Sequence, residues 1–267
     1  MPHSLRFCLA LVLAQPLVWP APAPQVAPDV YHQRRSRLRK SLSDGVTVLF
    51  GRTDKDSDDL RTAFFQEPNF YYLTGCLEPG AILLLAPQGE KSNLPREVLF
   101  LPRRDPEREK WTGANPGPDD KHIRRDTGFD TVLPAETLES ELRKYLDFYP
   151  RLYALADRPT SAKLEAIAPL REVADASAAI ARLRMEKSPE EIALIRHATD
   201  LTVAAHRAAW KEAAPGLYEY QVAAAMTAVY FDGGCERSAY APIVGSGPNS
   251  VILHYSRNSR QMKRGPV

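Results

Sequence analysis

The chain has 267 residues, of which 44% are hydrophobic and 25% charged, the balance of an ordinary soluble protein with room for two modest domains. Its formal net charge of +2 is too small to argue for a nucleic-acid footprint or an anionic membrane surface. Its three cysteines, Cys8, Cys76 and Cys235, stand far apart without partners at ligand spacing, which excludes a zinc ribbon, a thioredoxin-like motif and a disulfide scaffold.

Residues 1–29 read as a leader. Arg6 precedes an apolar run, Phe7-Cys8-Leu9-Ala10-Leu11-Val12-Leu13-Ala14, and Ala21-Pro22-Ala23 follows as a small-x-small cleavage site. This is the layout of a secretory signal, so the protein is expected to be exported, periplasmic or extracellular. An uncleaved anchor is the alternative, because Pro24 would follow the cut. Four prolines between 16 and 24 argue against a buried helix, and 20–29 reads as an extended Pro/Ala linker. Beyond the leader no apolar run is long enough to span a bilayer.

From Val30 a helix is expected, ended by Gly45. Its basic residues Arg34, Arg35, Arg37, Arg39 and Lys40 read as the solvated face of an amphipathic helix. Val46-Thr47-Val48-Leu49-Phe50, Ala81-Ile82-Leu83-Leu84-Leu85 and Glu97-Val98-Leu99-Phe100-Leu101 are short continuous apolar runs stopped by Gly51, Pro87 and Pro102. Such runs read as strands covered on both faces. Residues 131–133 and 152–155 are weaker strands, and 136–148 reads as a helix. The order implies an α/β domain with a mixed sheet over residues 30–174.

The composition changes near Asp175. Residues 176–186 read as a helix. Ser188-Pro189-Glu190-Glu191 is a helix start: Ser188 caps, Pro189 fits the first position, and Glu191 closes a capping box. Ile192, Ile195, Thr199, Thr202 and Ala205 are expected on one face. A further helix runs from about 218 to 231 and stops at Gly233-Gly234. Residues 239–244 and 250–255, joined by Gly245-Ser246-Gly247-Pro248-Asn249, are expected to form a strand pair. The turn lacks the full G-x-S-x-G pattern of a serine nucleophile and the G-K-[ST] of a phosphate loop, and reads as a turn that shapes a substrate pocket. His197 and His206 are too far apart for ligands at i and i+4. His122 lies in a charged loop, and His3 and His32 lie in or near the leader, so no histidine set has metal-ligand spacing. Trp111 stands in a polar loop, where a large aromatic is unusual. Cys76 and Cys235 are expected as buried or half-buried thiols, and Tyr71 and Tyr72 as core.

Several stretches together resemble the aminopeptidase P family. Phe65-Gln66-Glu67-Pro68-Asn69-Phe70-Tyr71-Tyr72-Leu73-Thr74-Gly75 with Glu78-Pro79-Gly80-Ala81, and Leu99-Phe100-Leu101-Pro102-Arg103-Arg104-Asp105 with Glu109, Trp111 and Gly113, look like its N-terminal domain. Lys187-Ser188-Pro189-Glu190-Glu191-Ile192 and Ile243-Val244-Gly245-Ser246-Gly247, running on to Ile252-Leu253-His254-Tyr255, look like the opening of its pita-bread catalytic domain. The implied architecture is an α/β, mixed-sheet domain of the creatinase/aminopeptidase P type over 30–174, followed by an incomplete α+β pita-bread domain over 175–267.

The resemblance implies removal of the N-terminal residue from peptides whose second residue is proline. Proline lacks a backbone N–H and restricts the residue before it, so such bonds need a dedicated enzyme. It also implies two divalent metals, usually manganese, held by two Asp, one His and two Glu, which bridge and activate a hydroxide and polarise the scissile carbonyl. The first of those ligands is expected beyond Val267, so this chain itself is expected to bind no metal and to be inactive alone. The resemblance gives His254 a catalytic role, hydrogen-bonding substrate or tetrahedral intermediate. It gives Trp111 a substrate-binding role, in a loop that approaches the active site of a neighbouring subunit. Proline-containing peptides are the expected partners, and the protein is expected to be a homo-oligomer, a dimer or tetramer. A prolidase-type dipeptidase, a metal-free creatinase-like enzyme and a non-catalytic binding or oligomerisation module of the same fold remain open.

Overall fold

The computed structural model of the chain describes residues 25–56, 64–87, 93–156, 158–169 and 171–265. The expected signal sequence, Cys8 and His3 lie outside the described residues. Two compact units emerge, one over residues 25–193 and one that includes 194–267.

The first unit is built on a six-stranded sheet. Its strands are β1 (Gly45–Phe50), β2 (Ile82–Leu85), β3 (Glu97–Leu101), β4 (Thr131–Pro134), β5 (Arg151–Ala154) and β6 (Val173–Asp175), in the order β4-β3-β2-β1-β5-β6. β1–β2 and β2–β3 pair antiparallel, while β3–β4, β1–β5 and β5–β6 pair parallel, so the sheet is mixed as expected. Three-residue β6 carries no apolar run and escapes a reading by periodicity. The continuous apolar runs follow from burial on both faces. Leu49, Leu83, Leu85, Leu99 and Leu101 point into one core. That core is closed by α1 (Pro28–Ser41), α2 (Pro68–Thr74), α4 (Ile123–Thr127) and α7 (Ser177–Met185). Val46, Val48, Ile82, Leu84, Val98 and Phe100 point into the other, under α5 (Leu138–Leu146) and α6 (Arg158–Ile167). The short α3 (Pro106–Thr112) contributes no buried residue.

The basic run of α1 is a solvated face only at Arg37 and Lys40. Arg34, Arg35 and Arg39 are buried. Arg35 Nε donates to Glu97 Oε2 at 2.6 Å and Arg39 donates to Glu97 Oε1 at 2.8 Å. Arg34 and Arg35 also donate to the carbonyls of Tyr72 and Leu73 at 3.0 and 3.1 Å. Those carbonyls lie in the last turn of α2, where a helix has no acceptor partners of its own and favours positive charge. Arg35 further reaches Gly128 O, and its guanidinium lies 3.8 Å from the Phe129 ring centre. The arginines therefore bind α1, α2 and β3 together. Burial lowers the Arg35 pKa, with Glu97 opposing. Burial alone would raise that of Glu97, but Arg35, His32 and Arg39 hold it below the usual range. Tyr72 is buried as expected, whereas Tyr71 is 41% exposed.

The second unit contains most of α8 (Pro189–Glu212) and all of α9 (Glu219–Asp232). The capping box at its start is present: Ser188 N donates to Glu191 Oε2 at 3.0 Å, and Glu191 N to Ser188 Oγ at 3.3 Å. The expected apolar face of α8 holds only at Ala205, which is buried; Ile192, Ile195, Thr199 and Thr202 are exposed, and Ala209 is buried instead. Leu201 on that side packs so close to Gly233, at the end of α9, that a Cβ there would lie 2.2 Å from its side chain.

Candidate functional site

The strand pair expected over 239–255 is absent; a 3-10 helix, Gly247–Val251, and irregular chain take its place. Pro242 removes a backbone donor that a ladder would use. Val251 and Leu253 are 81% and 88% exposed, so no apolar face is buried to pin a register. Side chains hold the segment instead.

The centre of that arrangement is Glu219, the first residue of α9. The chain after Asn258 runs antiparallel to the approach to α9: Glu219 N donates to Arg260 O, Met262 N to Leu217 O and Gly216 N to Met262 O, with Tyr218 bridging Gln261. This places the Glu219 carboxylate, fully buried, among five donors. Oε1 accepts from Ser246 N (2.7 Å), Ser246 Oγ (2.8 Å) and Asn249 Nδ2 (3.2 Å). Oε2 accepts from the Tyr255 hydroxyl (2.7 Å) and Arg260 N (2.9 Å). Burial pushes its pKa up, but the donors at Arg260, Tyr255 and Ser246 outweigh it and bring the carboxyl to about 2. An ionised carboxylate is acceptor-only, which matches a ring of donors. Its place at a helix N-terminus adds to the effect.

Asn258 makes a second clamp. It is buried with φ of 49°, in the left-handed region that Asn tolerates better than most residues. Its Oδ1 accepts from Val244 N and its Nδ2 donates to Pro242 O, both at 2.9 Å. Gly245 is required by close approach: a Cβ there would lie 2.6 Å from Asn249 O. Gly247 has φ of 51°, again left-handed.

Between these anchors sits His254, exposed on a turn that follows Ile252. In place of the strand expected over 250–255, the structure gives a presented loop position, next in sequence to the buried, Glu219-bonded Tyr255. The other described histidines do other work. His197 meets Gly233 O at 3.1 Å, His206 meets Thr202 O at 2.8 Å and His32 meets Glu97 at 3.1 Å, while His122 stands at the N-cap position of α4 without a side-chain capping bond. Among the described residues, no three His, Cys, Asp or Glu side chains are grouped to hold a metal ion. Cys76 and Cys235 are half-buried free thiols, and burial pushes the Cys76 thiol up to about 11.

Trp111 belongs to the first unit and His254 to the second. Trp111 lies in the last turn of α3 rather than in a loop, and is 90% exposed. The helix is capped by Asp105, which accepts from Glu107 N at 3.0 Å. It is tethered by the paired contacts of Arg104 with Glu109 (2.7 and 2.9 Å) and by Arg108 with Asp54 (2.7 Å). Exposed pairs of this kind add little stability each, but together they orient the helix that presents an indole with no packing of its own.

Glu219 and Asn258 escape a reading by motif, since their partners lie far along the chain. The one available signal is the dense Ser, Asn and Tyr content after Gly245.

Comparison with known proteins bears on both units. Residues 31–153 match the family Aminopeptidase P, N-terminal domain, and residues 193–267 match Metallopeptidase family M24. The Xaa-Pro aminopeptidase of Escherichia coli (strain K12) is 29% identical over 260 residues, covering 91% of this chain and 58% of the relative. The solved structure of Pseudomonas aeruginosa aminopeptidase PepP aligns with a TM-score of 0.81 at 27% identity, over 90% of this chain and 57% of that one. A zinc-substituted E. coli aminopeptidase P in complex with product aligns with a TM-score of 0.77 at 27% identity, with the same coverage. The chain thus spans between half and two thirds of the length of these proteins.

Proposed function

We propose that this chain, a member of the aminopeptidase P family whose residues 31–153 match that family's N-terminal domain and whose residues 193–267 match Metallopeptidase family M24, is part of an Xaa-Pro aminopeptidase. The reaction is hydrolysis of the peptide bond that links an N-terminal residue to proline. The observation that carries this reading is the coincidence of both domain matches, in order, with the E. coli Xaa-Pro aminopeptidase over 91% of the chain.

The family's divalent-metal chemistry is proposed for the complete enzyme, with manganese as the expected ion. The described residues do not offer a ligand set, so no step is assigned to them through a metal. Their part is recognition and charge stabilisation. His254, presented on its turn, donates a hydrogen bond to oxygen that gains negative charge as the bond is attacked. Trp111 supplies an exposed apolar plate suited to a proline ring or a flanking side chain. Oligomerisation, with Trp111 facing a neighbouring subunit, belongs to the same proposal, as does export directed by the leader pattern of residues 1–29. Among the described residues no helix is long and apolar enough to cross a membrane.

The test compares two proteins: the 267-residue polypeptide, and one extended through a complete M24 domain. Metal analysis and a short Xaa-Pro peptide assay should show bound metal and chelator-sensitive turnover in the extended protein alone. Absence of turnover in the extended, metal-loaded protein would overturn the reading.

A further inference from the structure

We propose that Glu219 is the positioning residue for His254: its buried carboxylate, rather than apolar packing, sets where the imidazole is presented. This rests on the reading of His254 given above.

Three observations combine. First, Val251, Ile252, Leu253 and His254 are all exposed, so packing does not fix them. Second, Tyr255 is the only buried residue from 251 to 257, and its hydroxyl bonds Glu219 Oε2 at 2.7 Å. The residue next to His254 is therefore tied to α9 through that carboxylate. Third, the same carboxylate holds the segment on both sides of His254, at Ser246 and Asn249 before it and at Arg260 after it. One acidic side chain thus closes both ends of the loop onto the start of a regular helix. Every partner is a donor. A neutral amide of the same shape would turn one acceptor into a donor that faces donors, and the ring would not close. Active-site groups need support of this kind, because a small displacement of a catalytic donor costs orders of magnitude in rate.

The test uses Glu219→Gln and the milder Tyr255→Phe in the metal-loaded protein extended through its catalytic domain. Both should lower kcat per folded molecule, Glu219→Gln by about tenfold or more, with KM and metal content nearly unchanged. Combined with His254→Ala, Glu219→Gln should add little further loss, since both changes would act through one group. Full additivity with His254→Ala, or normal kcat in the folded variants, would overturn the proposal.

If the unmodified extended protein cleaves no Xaa-Pro peptide, the functional reading fails first, and the positioning claim is then decided on the 267-residue chain by NMR. Glu219→Gln should speed amide exchange at Ser246 and Arg260 and shift the His254 ring resonances. Unmoved His254 resonances would refute it.

Discussion

Replacing Glu97 by Gln tests the account of α1 most severely. Glu97 accepts from Arg35 at 2.6 Å, Arg39 at 2.8 Å and His32 at 3.1 Å, and its side chain is 9% exposed. Arg35 is fully buried and Arg39 is 6% exposed. The amide keeps one acceptor but turns an N–H toward a guanidinium, and two buried positive charges lose their counter-charge. Removing one partner of a buried pair costs about 3–5 kcal/mol. The His32 contact adds little, since that ring is half exposed. At about 2–4 °C per kcal/mol for a unit of this size, the midpoint should fall by about 6–20 °C. Urea and thermal melts of the 267-residue chain, followed by near-ultraviolet circular dichroism, measure it. Adding Arg35→Met should recover part of the loss by removing the excess charge. The pH dependence has a definite sign. The Glu97 carboxyl is depressed in the folded chain, so its stabilisation is complete above the ordinary carboxylate range and is lost as pH falls through the depressed value. A cost below about 1 kcal/mol would mean that the cluster is hydrated like a surface network, and the reasoning would fail.

His254→Ala in the extended enzyme should lower turnover by about a hundred- to a thousandfold. Melting temperature and bound metal should stay unchanged, since the ring is exposed; loss of metal would instead make it a ligand. Trp111→Ala should leave stability within about 0.5 kcal/mol and raise KM for Xaa-Pro peptides, whereas a large drop in melting temperature would show that the indole packs after all. The Glu219 carboxyl sits at about 2, down from 4.5. Order in the 242–262 segment should therefore be full above the ordinary value and fade between pH 4.5 and 2. The Ser246 amide shift reports this, and in Glu219→Gln that window should be flat.

The sheet was legible because strands covered on both faces are written as unbroken apolar runs, as at 46–50 and 97–101. The capping box at Ser188 was legible because it is local. What escaped depends on distance along the chain. A run of arginines reads as solvated unless its partner is known, and Glu97 lies 62 residues from Arg35. Glu219 is a lone acidic residue whose donors come 27 to 41 residues later. The expected hairpin failed for a related reason. Its alternating apolar residues are exposed, and polar clamps at Glu219 and Asn258 decide the path instead. The face of α8 was legible only at Ala205, which the expected and the buried sides share; the approach of Leu201 to Gly233, 32 residues later, marks the buried side and is not local.

The central claim is specificity for a bond that precedes proline, and it is decided by kcat/KM on matched tripeptides, Xaa-Pro-Yaa against Xaa-Ala-Yaa, with the Xaa-Pro dipeptide as third substrate. The enzyme used is the metal-loaded protein extended through its M24 domain. The account predicts release of the N-terminal residue from Xaa-Pro-Yaa at a rate far above that from Xaa-Ala-Yaa, abolished by chelator. Cleavage confined to the dipeptide would make the protein a prolidase-type enzyme, and equal rates on the two tripeptides would contradict the account.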